Sequence, residues 1–120
     1  MQIKVGNDII STVRIENLYK AYGRRFTNKV YTEAEIKYCE SKKTNKYQSY
    51  AARFAAKEAI FKAISCFVED KYKIGWKDIE VLNDISGRPY AKVIGVNCII
   101  DISMSHEKEY AIATAIAIEE

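Results

Sequence analysis

The sequence predicts an α+β domain in which a mostly antiparallel sheet packs on one long helix. Three observations carry that expectation. An alanine-rich stretch over residues 45–66 contains no helix breaker, two hairpin-like pairs of strand segments follow it, and a single strand with helices precedes it. This order departs from the strict strand–helix alternation of a doubly wound sheet. With 120 residues the chain has the length of a single domain, 1–120, able to bury a core without metal or disulfide support.

The first element is QIKVGNDII, where Ile3, Val5 and Ile9 fall at strand spacing and Gly6 is expected to open a bend just ahead of Asp8. A helix follows from about Thr12 to Tyr22, with Ile15, Leu18 and Tyr22 on one side and Gly23 as its stop. TEAE at 32–35 is a capping-box pattern, so a short helix begins there: the Thr32 hydroxyl accepts from the Glu35 backbone and the Glu35 carboxylate reaches back. The long helix extends from about Asn45 to Cys66, rich in alanine and therefore strong in helix propensity. Ala52, Ala55, Ala56, Ala59, Ile60, Ala63 and Ile64 sweep one broad side of it, with Phe54 and Phe61 near the opposite side. Such a helix must be covered almost all round, by its own domain or by another subunit. DIEVL and YAKVIG then flank the turn chemistry of NDISGRP, and CIIDISMS and YAIATAIAI form a second pair joined through HEKE. In the last strand Tyr110, Ile112, Thr114, Ile116 and Ile118 alternate with alanines 111, 113, 115 and 117, so both faces are expected to be covered, the alanine face closely.

Composition narrows the function classes. Apolar residues make up 48% and charged residues 29%, which excludes a disordered chain. A formal charge of +3 is too small to imply a nucleic-acid partner, and the basic groups at Arg24, Arg25, Lys29 and at Lys42, Lys43, Lys46 do not interleave with aromatics as a nucleic-acid surface would. They read as solvated faces. The N-terminal MQIKVGNDII has none of the marks of an export signal, and no apolar run reaches membrane-spanning length. Cys39, Cys66 and Cys98 are odd in number, far apart and in no ligand spacing, which fits a reduced, cytoplasmic protein.

The charges inside RFAAKEAIFKAI, residues 53–64, need a reason. Glu58 and Lys62 stand one turn apart between the apolar zones, and Arg53 and Lys57 form a second set one turn apart. One reading is structural: ion pairs on a wet stripe, Glu58 with Lys62 and Arg53 with an outside acid, each contributing at most about 1 kcal/mol. The other is that Glu58 and Lys62 are half of a site for a metal and a phosphate group. Magnesium is usually held by one or two carboxylates, waters and phosphate oxygens, so a second hard oxygen donor is needed, and Asp8 is the natural candidate.

VGNDII at 5–10, RFAAKEAIFKA at 53–63, WKDIEVLNDISGRPY at 76–90 and ISMSHEKEYAIA at 102–113, together with VYTEAEIKYC at 30–39, resemble in order and spacing the holo-(acyl-carrier-protein) synthases, the small phosphopantetheinyl transferases of bacteria. The resemblance implies a 4'-phosphopantetheinyl transferase-like fold. It also implies transfer of the phosphopantetheine arm of coenzyme A to a serine of an apo acyl carrier protein, with release of adenosine 3',5'-bisphosphate. Because negative charge on the diphosphate must be held throughout, positioning and electrostatics dominate such a transfer.

Carried over by position, Asp8 and Glu58 are the implied Mg2+ ligands, Lys62 the diphosphate clamp, and Glu58, directly or through a metal-bound water, the proton acceptor. Arg53 and His106 are implied coenzyme A phosphate contacts, with Ser105, Gly87, Arg88 and Pro89 as further nucleotide contacts. Arg14, with Arg24 and Arg25, is implied to meet an acidic acyl carrier protein. Members of this length form homotrimers with coenzyme A sites between subunits. Three departures stand out: Ser65, Cys66 and Phe67 where a glycine is common, Glu107 where a small hydroxyl residue is common, and Asn7 in place of an aliphatic residue. The chief rival is therefore a non-catalytic relative that binds coenzyme A or a carrier protein without turnover.

Overall fold

In the computed structural model of the chain all residues, 1–120, are described. Strand β1 (Gln2–Ser11) leads into helices α1 (Thr12–Tyr22), α2 (Arg24–Val30), α3 (Glu33–Glu40) and α4 (Lys46–Ile64). The hairpin β2 (Ile79–Asn83) and β3 (Pro89–Val93) follows, then the hairpin β4 (Ile99–His106) and β5 (Tyr110–Glu119). All ladders are antiparallel, in a three-stranded sheet ordered β1-β5-β4 and a separate two-stranded sheet β2-β3. The α+β class and the packing of the long helix on a sheet are as expected. The two hairpins, however, do not merge into one sheet.

Local signals set most boundaries. Ser11 caps α1, accepting from the Arg14 backbone, and Gly23, with φ 54, ends it. The capping box of Thr32 and Glu35 opens α3. Helix α2, which carries Arg24 and Arg25 in its first turn, is not signalled by the sequence pattern because it is seven residues long and uncapped by any side chain.

Helix α4 lies on the inner face of the three-stranded sheet, where Ala111, Ala113, Ala115 and Ala117 meet Ala52, Ala55, Ala56, Ala59 and Ala63. Small residues on both surfaces let the backbones approach, and Gly6 takes this to its limit. A Cβ on Gly6 would sit 2.1 Å from the Ala59 carbonyl oxygen and 2.9 Å from the Ala63 nitrogen. Gly6 therefore does not open a bend: β1 runs straight through it, paired with Ala115, and the missing side chain is a seat for α4.

Twelve of the 19 residues of α4 are buried, so this chain itself covers the helix. The unpartnered apolar surface is instead the outer face of the sheet. Val5 and Ile9 are 62% and 63% exposed, with Ile3, Ile112 and Ile116 beside them. The expectation that both faces of the last strand are covered fails within a single chain, because nothing in it packs on that outer face. No helix is long and apolar enough to cross a membrane.

Candidate active site

The register of β1 turns Asp8 inward, opposite Ala113 and two residues beyond the Gly6 seat, and so delivers it to the C-terminal half of α4. Lys62 donates from Nζ to the Asn7 carbonyl oxygen at 2.9 Å and pairs with Asp8 Oδ1 at 3.4 Å, across 54 residues of chain. The structural ion pair expected between Glu58 and Lys62 is replaced by this Asp8 pair. The side chain of Asp8 is 19% exposed, that of Lys62 51%.

Glu58 completes the group. Burial pushes its carboxyl above the ordinary range, and the neighbouring Asp8 charge pushes it further, with Lys62 and Arg14 partly opposing. Two partly buried carboxylates thus lie near enough to repel each other, a repulsion that a divalent cation would relieve. The donors are hard oxygens, and no cluster of three His, Cys, Asp or Glu surrounds them. This donor set fits Mg2+, which completes its shell with water and phosphate oxygens, and Asp8 and Glu58 would hold it. On the other side of Glu58 opens an apolar cleft of about 220 Å³, lined by Phe61, Ile74, Trp76 and Ile79.

Arg14 shares this neighbourhood, since its charge is felt at Glu58, and its side chain is exposed on α1. Arg24 and Arg25 are exposed at the start of α2. Arg88 is exposed and pairs with Asp101 at 3.3 Å, with Gly87 and Pro89 on either side in the β2–β3 turn. Ser105 lies on the outer sheet face, while His106 Nδ1 sits 2.9 Å from Gln48 Oε1, near the start of α4. From Gln48 to Glu58 the helix rises about 15 Å. One chain therefore leaves His106 and Ser105 apart from Asp8, Glu58 and Lys62.

Two expectations are corrected. Arg53 is not on a wet stripe but 3% exposed, and Lys57, one turn on, is 0% exposed, because this side of α4 is roofed by α3 and β2. Arg53 donates to Asn83 Oδ1 and stacks 3.9 Å from the centre of the Tyr38 ring, so within the chain its guanidinium is withdrawn from a phosphate-binding surface. Lys57 donates to Glu35 in a fully buried pair, and Glu35 also accepts from the Val81 backbone at 2.8 Å. Burial lowers the Lys57 ammonium, with Glu35 opposing that shift. Sequence reasoning assigned Glu35 only to its cap; its second oxygen serves a strand 46 residues away, for which no local signal exists.

The departures are mild in place. Ser65 bonds its hydroxyl to the Lys62 carbonyl at 3.1 Å in a short 3₁₀ turn, Ser65–Phe67. The Glu107 carboxylate turns back to accept from the Glu109 and Tyr110 backbones, spending its charge in its own hairpin. Asn7 offers its carbonyl to Lys62.

An antiparallel α+β domain that brings a strand carboxylate to a carboxylate and an ammonium of its long helix defines a candidate for phosphoryl-type group transfer. Residues 4–115 match the model of the 4'-phosphopantetheinyl transferase superfamily. The chain is 42% identical to the holo-(acyl-carrier-protein) synthase of Ruminiclostridium cellulolyticum, covering 97% of this chain and 92% of that protein. It is 46% identical to that of Chlamydia trachomatis, covering 94% and 97%. Among solved structures it is similar to the Bacillus anthracis synthase in complex with CoA (3',5'-ADP), with a TM-score of 0.81, 33% identity and coverage of 95% and 94%. It is also similar to the Helicobacter pylori synthase in complex with coenzyme A, with a TM-score of 0.82, 27% identity and coverage of 95% and 99%. The chain belongs to the 4'-phosphopantetheinyl transferase superfamily.

Proposed function

We propose that this chain is a Mg2+-dependent holo-(acyl-carrier-protein) synthase. It transfers the 4'-phosphopantetheine group of coenzyme A to a serine of an acidic apo acyl carrier protein and releases adenosine 3',5'-bisphosphate. The observation that carries this reading is the meeting of Asp8, Glu58 and Lys62 at one half-exposed spot, although Asp8 and Lys62 are 54 residues apart in the chain. The names of the full-length relatives support the same substrates.

In this reading the serine oxygen bonds to the β-phosphorus while the bond from that phosphorus to the bridging oxygen breaks, and that oxygen leaves with the adenosine bisphosphate. Glu58 accepts the serine proton, directly or through a water. Lys62, half exposed on its stem, turns from Asp8 to a diphosphate oxygen. Asp8 and Glu58 would hold Mg2+, which would supply neutralisation of the diphosphate charge. Arg88, Gly87, Pro89, Ser105 and His106 bind the nucleotide end, while Arg14 and Arg24 dock the carrier protein.

The enzyme works as a cytoplasmic homotrimer with its sites between subunits. The apolar outer sheet face supports this, and so does the separation of His106 from Glu58 within one chain, which a neighbouring copy would make good. The test is to incubate the protein with coenzyme A, Mg2+ and an apo carrier protein and to weigh the carrier. Gain of the phosphopantetheine mass is expected, and its absence across several divalent metals and carriers would favour a non-catalytic relative.

A further inference from the structure

We infer that Asn83 is a positioning residue for the Gly87–Pro89 turn, relaying the orientation of α4 to it through Arg53. The inference rests on the reading that this turn binds the nucleotide end of coenzyme A. A guanidinium only donates, so the Asn83 side chain must present its oxygen to Arg53 and its NH2 group the other way. There Nδ2 donates to the Gly87 carbonyl oxygen at 2.9 Å. Arg53 is itself fixed, 3% exposed and stacked on Tyr38, so the relay starts from an immobile group.

The rest of the turn is held from within. Asp84 Oδ1 accepts from the Ser86 nitrogen at 2.9 Å, the Ser86 hydroxyl at 2.6 Å and the Arg88 nitrogen at 3.0 Å. Gly87, with φ 91, supplies the left-handed residue the turn requires. These bonds, with the backbone bonds from Asp84 N to the Arg88 oxygen and from Gly87 N to the Asp84 oxygen, shape the turn, and the β2–β3 ladder carries it; none of them ties it to α4. The Arg88–Asp101 pair, 66% exposed on each side, is too solvated to hold it firmly. Asn83 joins the turn to α4 through a buried group, and in doing so aims Arg88.

The test is Asn83→Asp in the full-length protein. A carboxylate still accepts from Arg53, and satisfies that buried cation at least as well as the amide, but cannot donate to the Gly87 carbonyl. A merely structural Asn83 would then leave kinetics unmoved. The expected result is an unchanged or higher thermal midpoint, KM for coenzyme A raised about tenfold, kcat within about twofold of the parent, and amide exchange over 84–88 faster than in the parent while that of α4 is unchanged. Unaltered KM and exchange would overturn the inference. So would a chain that no longer folds, since the lost bond would then be holding the fold and not the turn. Arg88→Ala separates the underlying reading: if it leaves KM for coenzyme A unchanged, the turn is not a nucleotide contact. If it raises KM and Asn83→Asp does not, only the Asn83 relay fails.

Discussion

Lys57 and Glu58 are neighbours in the chain but live in opposite chemistries, because one residue of helix turns the side chain by about 100°. Lys57 points under α3 and is sealed against Glu35, whereas Glu58 stays partly open, near enough to Asp8 for their charges to repel. Asp8→Ala and Glu58→Ala should each lower transfer at least about 100-fold while far-UV circular dichroism and the thermal midpoint stay near the parent's, since neither truncation opens a core cavity. Retained activity in both would remove them from the site. Gly6→Ala should cost about 3 kcal/mol in urea unfolding and lower transfer as well, because the new Cβ meets backbone atoms of α4 that cannot step aside and pushes Asp8 off its partners. The types of Asp8, Glu58 and Lys62 were readable from the chain. The use of Gly6 was not: a glycine in a strand signals a bend or a close approach equally, and only the helix lying across it decides.

The elements are tied by two polar clusters that no single element contains. One is the buried pair of Glu35 in α3 and Lys57 in α4, with the Val81 nitrogen of β2 on the second carboxylate oxygen. Lys57→Met leaves a carboxylate buried without its cation and should cost about 3–5 kcal/mol, and Glu35→Gln with Lys57→Met should recover most of that in urea titrations, because a neutral pair carries no unpaired charge. The other is Glu40 at the end of α3, which accepts from Tyr50 at 2.7 Å and Tyr19 at 2.9 Å and pairs with Lys46. Burial pushes its carboxyl up, but the bonds from Tyr50, Tyr19 and Lys46 outweigh that and hold it below the ordinary range. A carboxyl lowered in the folded state contributes stability that is present above its unfolded pKa and is lost as pH falls through its folded pKa. Tyr50→Phe should therefore cost about 1 kcal/mol near neutral pH. The difference from the parent should shrink below about pH 4.3, as measured by urea unfolding across that range. The helices, their caps and both hairpins were legible because those signals act over a few residues. The short helix α2 was not, having neither a cap side chain nor the length for a period to show.

The shape of the protein presents an apolar sheet face that an isolated chain would not be expected to leave in water. If that face is the subunit contact of the proposed trimer, Ile112→Asp, at 47% exposure there, should leave each chain folded but shift sedimentation to a 13.7 kDa species and abolish transfer. A trimer that persists would place the subunit contact elsewhere. The alternation along the last strand foretold two dissimilar faces, yet which face a partner must cover depends on where α4 lies, and α4 takes the alanine side because only there can backbones approach. By itself the sequence determined the order and kind of the elements, the caps that start them, and the acidic and basic groups suited to a diphosphate and a cation. The tertiary structure alone decided that Lys62 meets Asp8 and not Glu58, that Arg53 is enclosed against Asn83, and that Lys57 is spent on Glu35. The reason is physical: helix and turn signals act between near neighbours, whereas these pairings join residues 22 to 54 apart and depend on strand register and on the rotation of α4.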